Sequence, residues 1–173
     1  KRQLTENAQP ALMATTLAVF RALQSEGLKL SDAKFVAGHS LGEYSALAMA
    51  GSLSISDAAK LLRVRGRAMQ NAVPVGVGAM AAILGLTYSD LVAITKQAAG
   101  DGVCQAANDN DPSQVVVSGH KDAVERAMEI AKEAGAKRVV PLPVSAPFNS
   151  ELMAPASLEM KDALSSISIV KQS

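Results

Sequence analysis

The sequence predicts an α/β protein in which helices cover a buried sheet. Hydrophobic residues make up 49% of the chain and charged residues 19%, which is an ordinary balance for a globular protein. The apolar residues are mostly aliphatic, with no Trp and only 3% aromatic residues, and this mix suits helices packed on a sheet better than an all-β sandwich. Segments with helical spacing alternate with short apolar runs that are typical of strands.

The bulk properties of the 173 residues argue against several classes of protein. A formal net charge of +1 gives no general field that would attract nucleic acid or a membrane surface. No apolar run approaches the length of a membrane span, and the polar N-terminus is unlike a signal peptide. Cys104 is the only cysteine, which excludes an internal disulfide and fits a buried thiol in a reducing cytoplasm.

The first part of the chain is predicted to hold three helices and one strand. A helix is expected at Pro10–Ser25, because proline suits a first helical turn and apolar residues recur at helical spacing after it. A short strand is expected at Lys34–Ala37 and a small-residue helix at Leu41–Ala50. A further helix is expected at Ser56–Val73, with its first serine as the N-cap.

The segment 77–144 is predicted to form a ferredoxin-like subdomain. Its strand and helix signals follow the order β-α-β-β-α-β, which is typical of that fold. The helix after the first strand begins with Thr87 and Asp90 in an arrangement like a capping box. The six elements are expected at Ala79–Leu84, Thr87–Ala99, Val103–Ala107, Gln114–Val117, Lys121–Ala134 and Lys137–Val140.

The remaining segments contain too few strands for a complete sheet. After a proline-fixed connection at residues 141–148, a last helix is expected at Pro155–Ser165 and a short strand near Ile167–Val170. One buried strand cannot make a parallel sheet, which needs neighbours on both edges. We therefore expect either that this chain is a piece of a larger protein or that another chain completes its core.

The segment Gly38-His39-Ser40-Leu41-Gly42 fits the G-x-S-x-G pattern between a predicted strand and a predicted helix. In such a turn the serine oxygen is exposed, and the following helix directs free N–H groups at the same point. Ser40 is thus a candidate nucleophile, with the Leu41 N–H as an oxyanion donor. The alternative is a tight turn bounded by glycines, in which Ser40 merely caps the helix.

Neither histidine is well placed to activate Ser40. Adjacent residues in such a turn point to different sides, so His39 is expected to pack beneath the turn. His120 is expected to be a solvated residue at the start of a helix.

Several motifs follow one another in order along the chain. They are QPAL at residues 9–12, GHSLGEYSAL at 38–47, RGRAMQ at 65–70, GAMAA at 78–82, GH at 119–120 and PVSAPF at 143–148. Together they resemble the malonyl-CoA:acyl-carrier-protein transacylases and the acyltransferase domains of fatty-acid and polyketide synthases. The resemblance covers nearly the whole chain and is more specific than the pentapeptide alone.

The resemblance implies a fold and a reaction. The implied fold is an α/β-hydrolase-like large subdomain, here residues 1–76 and 145–173, with the ferredoxin-like subdomain 77–144 inserted. The implied reaction is ping-pong: Ser40 takes a malonyl group from malonyl-CoA and passes it to the phosphopantetheine thiol of acyl carrier protein. Malonyl-CoA and acyl carrier protein are the implied partners, in fatty-acid biosynthesis, with no cofactor, metal, nucleic acid or membrane.

The resemblance also implies a role for Arg65, which corresponds to the arginine that grips the free malonyl carboxylate. A planar guanidinium suits this role because it binds a carboxylate with two parallel hydrogen bonds and keeps its charge. Without the resemblance, the plainer interpretation is a solvated cation beside Arg63 and Arg67. These three residues alternate around the predicted helix, so they cannot all face one pocket.

Four weaker candidates complete the predicted substrate site. Met69 lies one turn beyond Arg65 and is a candidate wall of the acyl pocket, although core filling explains it equally well. Gln9 belongs to the motif that matches the helix before the elbow. Asn108 and Asn110 are expected on a loop that faces the cleft, although both are ordinary turn residues.

The sequence departs from the family at the position of the general base. The family has a histidine after V-S-x-P, and here Asn149 stands at that position. An amide can hold a hydrogen bond but cannot take a proton near neutral pH, so we expect impaired activity. An engineered substitution and a natural loss of function both explain Asn149. The family's first G-Q-G-x-Q loop and its last strands are not in this sequence, so both ends are expected to be missing.

Three other functions are compatible with the sequence. A serine esterase or thioesterase shares the elbow, but it needs no carboxylate-binding residue such as Arg65. An inactive homologue that binds acyl carrier protein without chemistry would account for Asn149. A domain of a large synthase would bring flanking domains or linkers, and the sequence holds none.

Overall fold

The computed structural model describes residues 5–144 and 146–171 and divides into two compact units. The first unit comprises Lys1–Ala68 with Ser157–Ser173, and the second comprises Met69–Ala156. Within the described segments, every helix is too short or too polar to cross a membrane.

The first unit is built from helices. They are α1 (Thr5–Ser25), α2 (Gly42–Met49), most of α3 (Ile55–Asn71) and most of the last helix, α6 (Ala154–Ser165). All four predicted helices are therefore present. The described part of α1 begins at Thr5, about one turn before the predicted start, so Pro10 lies inside the helix. The core of this unit consists of Met13, Leu53, Ala58, Leu61, Leu62 and Met160.

The N-cap of α3 differs from the predicted one. Ser54, rather than Ser56, provides the capping hydroxyl: its Oγ accepts a hydrogen bond from Asp57 N–H at 2.9 Å and donates one to Asp57 Oδ2 at 2.7 Å. An N-cap serine satisfies an N–H near the start of its helix, and this bond fixes where α3 begins. The prediction of Ser56 as the cap is wrong by two residues.

Two predicted strands of the first unit are not strands in the structure. Residues 33–38 run without regular structure, and Phe35 is 90% exposed. Near the C-terminus, Val170 N–H donates to Ser52 O at 3.0 Å, but Ile167–Val170 forms no ladder within the described residues. A strand exists only where a partner accepts and donates its backbone hydrogen bonds, and these segments have no such partner there.

The second unit contains an open antiparallel sheet. Its strands are β1 (Gly78–Leu84), β2 (Cys104–Asp111), β3 (Gln114–His120) and β4 (Arg138–Pro141), in the order β2-β3-β1-β4. Helix α4 (Tyr88–Ala99) follows β1, and helix α5 (Lys121–Glu133) follows β3. The predicted antiparallel pairing of the two middle strands is confirmed, with Ala106 opposite Val117.

Strand β2 is longer than predicted, and this corrects the position of two candidate residues. Asn108 and Asn110 lie in β2, not in the loop expected there. Register shifts between Ala106 and Asn108 and again between Asp109 and Asp111 let the strand continue through polar residues, as β-bulges do. The turn to β3 comes later, where Asp111 Oδ1 accepts from Ser113 N–H at 2.9 Å.

The two faces of the sheet have different neighbours. One face packs on α4 and α5 through a core that includes Ile83, Leu91, Val115, Val117 and Val124. The other face carries Met80, Ala82 and Val116, against which Leu142 and Phe148 pack. Cys104 is buried as predicted, and burial raises the pKa of its thiol to about 11.

Candidate active site

Ser40 lies in a tight turn immediately before α2, as the G-x-S-x-G pattern predicts. Its φ of 53° is in the left-handed region, where a residue other than glycine is strained. A Cβ at Gly38 would lie 2.0 Å from the carbonyl carbon of Gly42, so only glycine fits there. The turn therefore has the glycine requirement and the strained serine of a nucleophile elbow.

Leu41 follows Ser40 at the N-cap position of α2. Its side chain is half-buried and packs against the core of the first unit, which anchors the turn. Its backbone N–H makes no hydrogen bond to another described residue. This N–H therefore has no acceptor among the described residues, and its role as an oxyanion donor stays a prediction.

Arg65 of α3 contacts Ser40 directly. Its Nη2 donates to Ser40 Oγ at 3.1 Å, and its Nη1 donates to Gln9 Oε1 at 2.7 Å. Arg63 and Arg67 are exposed, whereas Arg65 is half-buried. The structure thus brings together Ser40, Arg65 and Gln9, which lie far apart in the sequence.

The charge of Arg65 lies in a partly desolvated position. Burial is the main influence and lowers its pKa, while the nearby Tyr44 and Glu43 act in the opposite direction. The same burial raises the pKa of the Tyr44 hydroxyl, and the charge of Arg65 partly offsets this. A guanidinium so placed keeps its charge but has lost part of its hydration, so an anionic ligand would bind it favourably.

Asn149 lies in the second unit, beside β2. Its Nδ2 donates to Asn108 Oδ1 at 3.0 Å. Two further bonds hold the segment around it: Glu151 N–H donates to Gln105 Oε1 at 2.8 Å, and Ser150 Oγ donates to Pro147 O at 2.8 Å. Because Ser40 belongs to the other unit, its meeting with Asn149 stays a prediction.

Ser40 and Asn149 share a backbone feature. They are the two non-glycine residues with positive φ in the described part of the chain, at 53° and 58°. Asn and His both tolerate the left-handed conformation better than most residues. The backbone at position 149 is therefore compatible with histidine as well as with the asparagine found here.

The other candidates are less clearly placed. Met69 is half-buried on α3, four residues beyond Arg65. Asn110 is exposed on β2. Sequence reasoning missed Tyr44, whose only signal was its place one helical turn after Ser40, and Thr5, which accepts from Gln9 Nε2 at 2.9 Å and carried no recognisable signal.

The prediction for His39 is wrong, and that for His120 is right about the start of a helix but wrong about its solvation. His39 is exposed instead of packed beneath the turn, because the described part of the chain provides nothing that covers residues 31–40. His120 is half-buried, and its Nδ1 accepts from Val103 N–H at 2.8 Å, so it is a hydrogen-bonded residue of the second unit instead of a solvated one. Among residues 5–144 and 146–171, no three His, Cys, Asp or Glu side chains are grouped to hold a metal ion.

Comparison with known proteins identifies the family. The profile of the acyl transferase domain matches residues 2–172. The chain belongs to the acyl transferase family. Malonyl CoA-acyl carrier protein transacylase of Bacillus subtilis is 50% identical over 167 residues, which are 96% of this chain and 52% of that relative. The transacylase of Escherichia coli K12 is 47% identical over 163 residues, or 94% of this chain and 52% of that relative.

Solved structures of acyl transferases agree with this assignment. The acyl-carrier-protein S-malonyltransferase of Bartonella henselae is 55% identical, with a TM-score of 0.93 over 98% of this chain and 54% of that one. A malonyl-transacylase in complex with its type II PKS acyl-carrier protein is 43% identical, with a TM-score of 0.93 over 98% of this chain and 54% of that one. The resemblance to malonyl-CoA transacylases is therefore confirmed. The chain spans about half the length of these relatives.

Proposed function

We propose that the protein carrying this sequence transfers a malonyl group from malonyl-CoA to the phosphopantetheine thiol of acyl carrier protein, in fatty-acid biosynthesis. The observation that carries the proposal is the hydrogen bond from Arg65 Nη2 to Ser40 Oγ at 3.1 Å. It puts a partly desolvated positive charge beside a strained serine, which is what a nucleophile that accepts an acyl group ending in a carboxylate requires. The names of the relatives point to the same substrate.

The reaction has two halves. Ser40 Oγ attacks the thioester carbonyl and loses its proton, the carbonyl oxygen becomes an oxyanion at the Leu41 N–H, and the carbon–sulfur bond breaks to release coenzyme A as a protonated thiol. The phosphopantetheine thiol of acyl carrier protein then attacks the Ser40 ester, and the serine oxygen regains a proton as it leaves. Arg65 binds the malonyl carboxylate in both halves and forms no covalent bond.

Proton transfer is the weak point of this chain. A general base must take the proton of Ser40, and Asn149, at the family's histidine position, has an amide that cannot do so. We propose that transfer is impaired for this reason and that Asn108 holds the side chain at position 149 through its 3.0 Å hydrogen bond. Gln9 and Met69 complete the substrate site around Arg65, and Asn110 is a weaker member.

The proposed fold follows the family. Residues 1–76 and 145–173 would belong to an α/β-hydrolase-like large subdomain and residues 77–144 to a ferredoxin-like subdomain. The strand order β2-β3-β1-β4, with a helix after β1 and after β3, supports the second assignment. A cytoplasmic location is also proposed, and the lone, buried Cys104 supports it.

One other function has an observation in its favour. Asn149 supports an inactive homologue that binds acyl carrier protein without transfer. An esterase is less well supported, because a simple ester offers nothing for the charge of Arg65 to bind.

The test is acyl transfer with two substrates and two arginine variants. Truncating one member of a desolvated charge pair costs about 2–5 kcal/mol. Arg65→Ala should therefore raise the activation free energy of malonyl transfer by about that amount and that of acetyl transfer by far less. Arg63→Ala, on the exposed face of the same helix, is the matched control and should change neither. Rates are measured as malonyl or acetyl groups on acyl carrier protein, with Ser40→Ala as the blank.

Three results would contradict the proposal. Equal losses for malonyl and acetyl transfer would make Arg65 structural. Binding of acyl carrier protein without any acyl group on Ser40, detected by mass spectrometry, would favour the inactive homologue. Release of free malonate, with none transferred, would favour a hydrolase.

A further inference from the structure

Gln9 is a buried neutral partner of the arginine beside Ser40. Its side chain is 3% exposed, and its Oε1 accepts from Arg65 Nη1 at 2.7 Å. Its Nε2 donates to Thr5 Oγ1 at 2.9 Å. A guanidinium has no acceptor, so the amide must turn its oxygen toward Arg65. The contacts at both ends of the amide therefore hold Gln9 in one orientation.

Gly66 makes this approach of α1 to α3 possible. A Cβ at that position would lie 2.5 Å from Glu6 Cα and 2.7 Å from Thr5 O. Both are backbone atoms of α1 that cannot move aside alone, so any larger residue at position 66 would push the helices apart. The glycine next to Arg65 thus lets the first described turn of α1 pack on α3 and brings Gln9 within reach of the guanidinium.

Whether residue 9 is an amide or a carboxylate determines whether the positive charge of Arg65 is neutralised. A carboxylate in this position would also orient Arg65, but it would neutralise the guanidinium and repel a second carboxylate. The amide orients Arg65 and leaves its positive charge in place. Two of the five N–H groups of the guanidinium donate to Gln9 and Ser40, and the other three take no part in these two hydrogen bonds.

We propose that Gln9 is a positioning residue that fixes the Arg65 guanidinium without neutralising it, and that this neutrality makes the site select acyl groups that end in a carboxylate. The proposal rests on the proposed function, since it explains how that site distinguishes malonyl from acetyl thioesters. Gln9 acts through Arg65 and does not itself contact the reacting atoms.

The test compares Gln9→Glu and Gln9→Met in the purified protein that carries this sequence. Binding of malonyl-CoA and of acetyl-CoA is measured by calorimetry. Gln9→Glu keeps the size and the acceptor but adds a negative charge, so malonyl-CoA should bind at least about tenfold more weakly, while acetyl-CoA binding changes less than about twofold. A merely structural role of Gln9 would alter both ligands alike.

A matched control lies on the same helix. Gln24 Oε1 accepts from Arg21 Nη1 at 3.2 Å in an exposed pair, so Gln24→Glu introduces the same charge beside an arginine away from the site. This variant should leave both affinities unchanged. A loss of malonyl-CoA binding in Gln24→Glu would mean that net charge alone, and not the Gln9–Arg65 contact, sets the preference.

A second measurement reports on Arg65 without any ligand. Rotation of its guanidinium, followed by nitrogen-15 NMR, should be restrained in the unaltered protein and freed in Gln9→Met, where the acceptor is gone. The exposed Arg63 on the same helix provides the signal of a free guanidinium.

The outcomes separate this inference from the proposed function. If Arg65→Ala weakens malonyl-CoA binding and Gln9→Glu does not, the selective role of Gln9 is overturned and the proposed function stands. If the unaltered protein binds malonyl-CoA no better than Arg65→Ala does, the proposed function fails and selection by Gln9 fails with it. An Arg65 guanidinium as mobile as that of Arg63 in the unaltered protein overturns the positioning role in either case.

Discussion

The two units differ in whether their strand-like segments find backbone hydrogen-bond partners among the described residues. In the second unit, every residue of β1 has a partner in β3, and Ile83, Val115 and Val117 are completely buried. In the first unit, the segment predicted as a strand has no partner among the described residues, and Phe35 is 90% exposed. The helices of that unit nevertheless form a small core of their own.

This difference shows which sequence signals are sufficient by themselves. A helix satisfies most of its backbone hydrogen bonds within its own segment, so α2 and α3 form without a distant partner. Of the two, α3 has a side-chain N-cap, Ser54, and α2 has none. A strand needs a partner that lies elsewhere. The exposure of Leu12, Val19 and Leu23 on α1, at 54%, 56% and 49%, follows the same rule, because an apolar stripe is buried only where another element covers it.

The largest expected effect concerns Asn149 of the second unit, at the predicted position of the general base. Asn149→His should raise malonyl transfer by roughly 10²–10⁴-fold, the usual contribution of a positioned general acid–base group. The reason is that an imidazole can take the proton of Ser40 and return it to the leaving thiol, whereas an amide cannot. The left-handed backbone at position 149 accepts histidine without new strain.

The pH dependence distinguishes a restored base from a general improvement. Transfer by Asn149→His should gain an inflection between about pH 5 and 8, the range in which a histidine titrates, and the unaltered protein should lack it. Asn149→Gln, which is an amide of another length, is the control and should stay at the low rate. An unchanged rate and pH profile in Asn149→His would mean that position 149 is not the position of the base.

The next prediction compares the effect on stability of one apolar substitution in each unit. Ile83→Ala should lower the free energy of unfolding by about 2–5 kcal/mol, because it leaves a cavity in a completely buried position. Phe35→Ala removes a larger side chain but should change the same quantity by less than about 0.5 kcal/mol, because that side chain is 90% exposed. Both are measured by urea denaturation. A comparable loss for Phe35→Ala would show that the first unit buries this residue in solution.

The parts of the fold that could be predicted are those with local causes. The capping box at Thr87, the order of elements from β1 to β4 and the antiparallel pairing of the middle strands follow from turn residues and apolar runs. The extension of β2 through Asn108 could not be predicted, since it depends on bulges against β3. The predicted strand at Lys34–Ala37 had the right composition, but residues 5–144 and 146–171 give it no partner strand.

The candidate site shows the same limit. The motif around Ser40 and its glycines was readable from the sequence, because the strained turn itself demands them. The contact of Arg65 with Ser40 was expected only through the family resemblance, since spacing alone would have left Arg65 as a solvated cation. The contact of Gln9 with Arg65 depends on the approach of α1 to Gly66, which no local pattern encodes.

The smallest expected effect tests a local cap of the second unit. Thr87 Oγ1 accepts from Asp90 N–H at 3.2 Å and donates to Asp90 Oδ2 at 2.7 Å, and Thr87 N–H donates to the same oxygen at 3.0 Å. Thr87→Ala removes these two hydroxyl bonds and a third, to Ser89 Oγ at 3.0 Å, and should lower the free energy of unfolding by about 1 kcal/mol at neutral pH, the usual value of an N-cap. Thr87→Ser keeps the hydroxyl and is the control.

The dependence of this effect on pH gives a sharper test of the same cap. The hydrogen bond from the Thr87 hydroxyl is the main cause that lowers the pKa of Asp90, and the bond from Thr87 N–H adds to it. A lowered pKa means that the stabilisation is present above the pKa of the unfolded chain and is lost as the pH falls through the lowered value. The difference between the unaltered protein and Thr87→Ala should therefore shrink below about pH 4, where the carboxyl of Asp90 takes up a proton. A difference that stays constant from pH 7 to pH 3 would show that the Thr87 hydroxyl stabilises the helix through the Asp90 N–H alone.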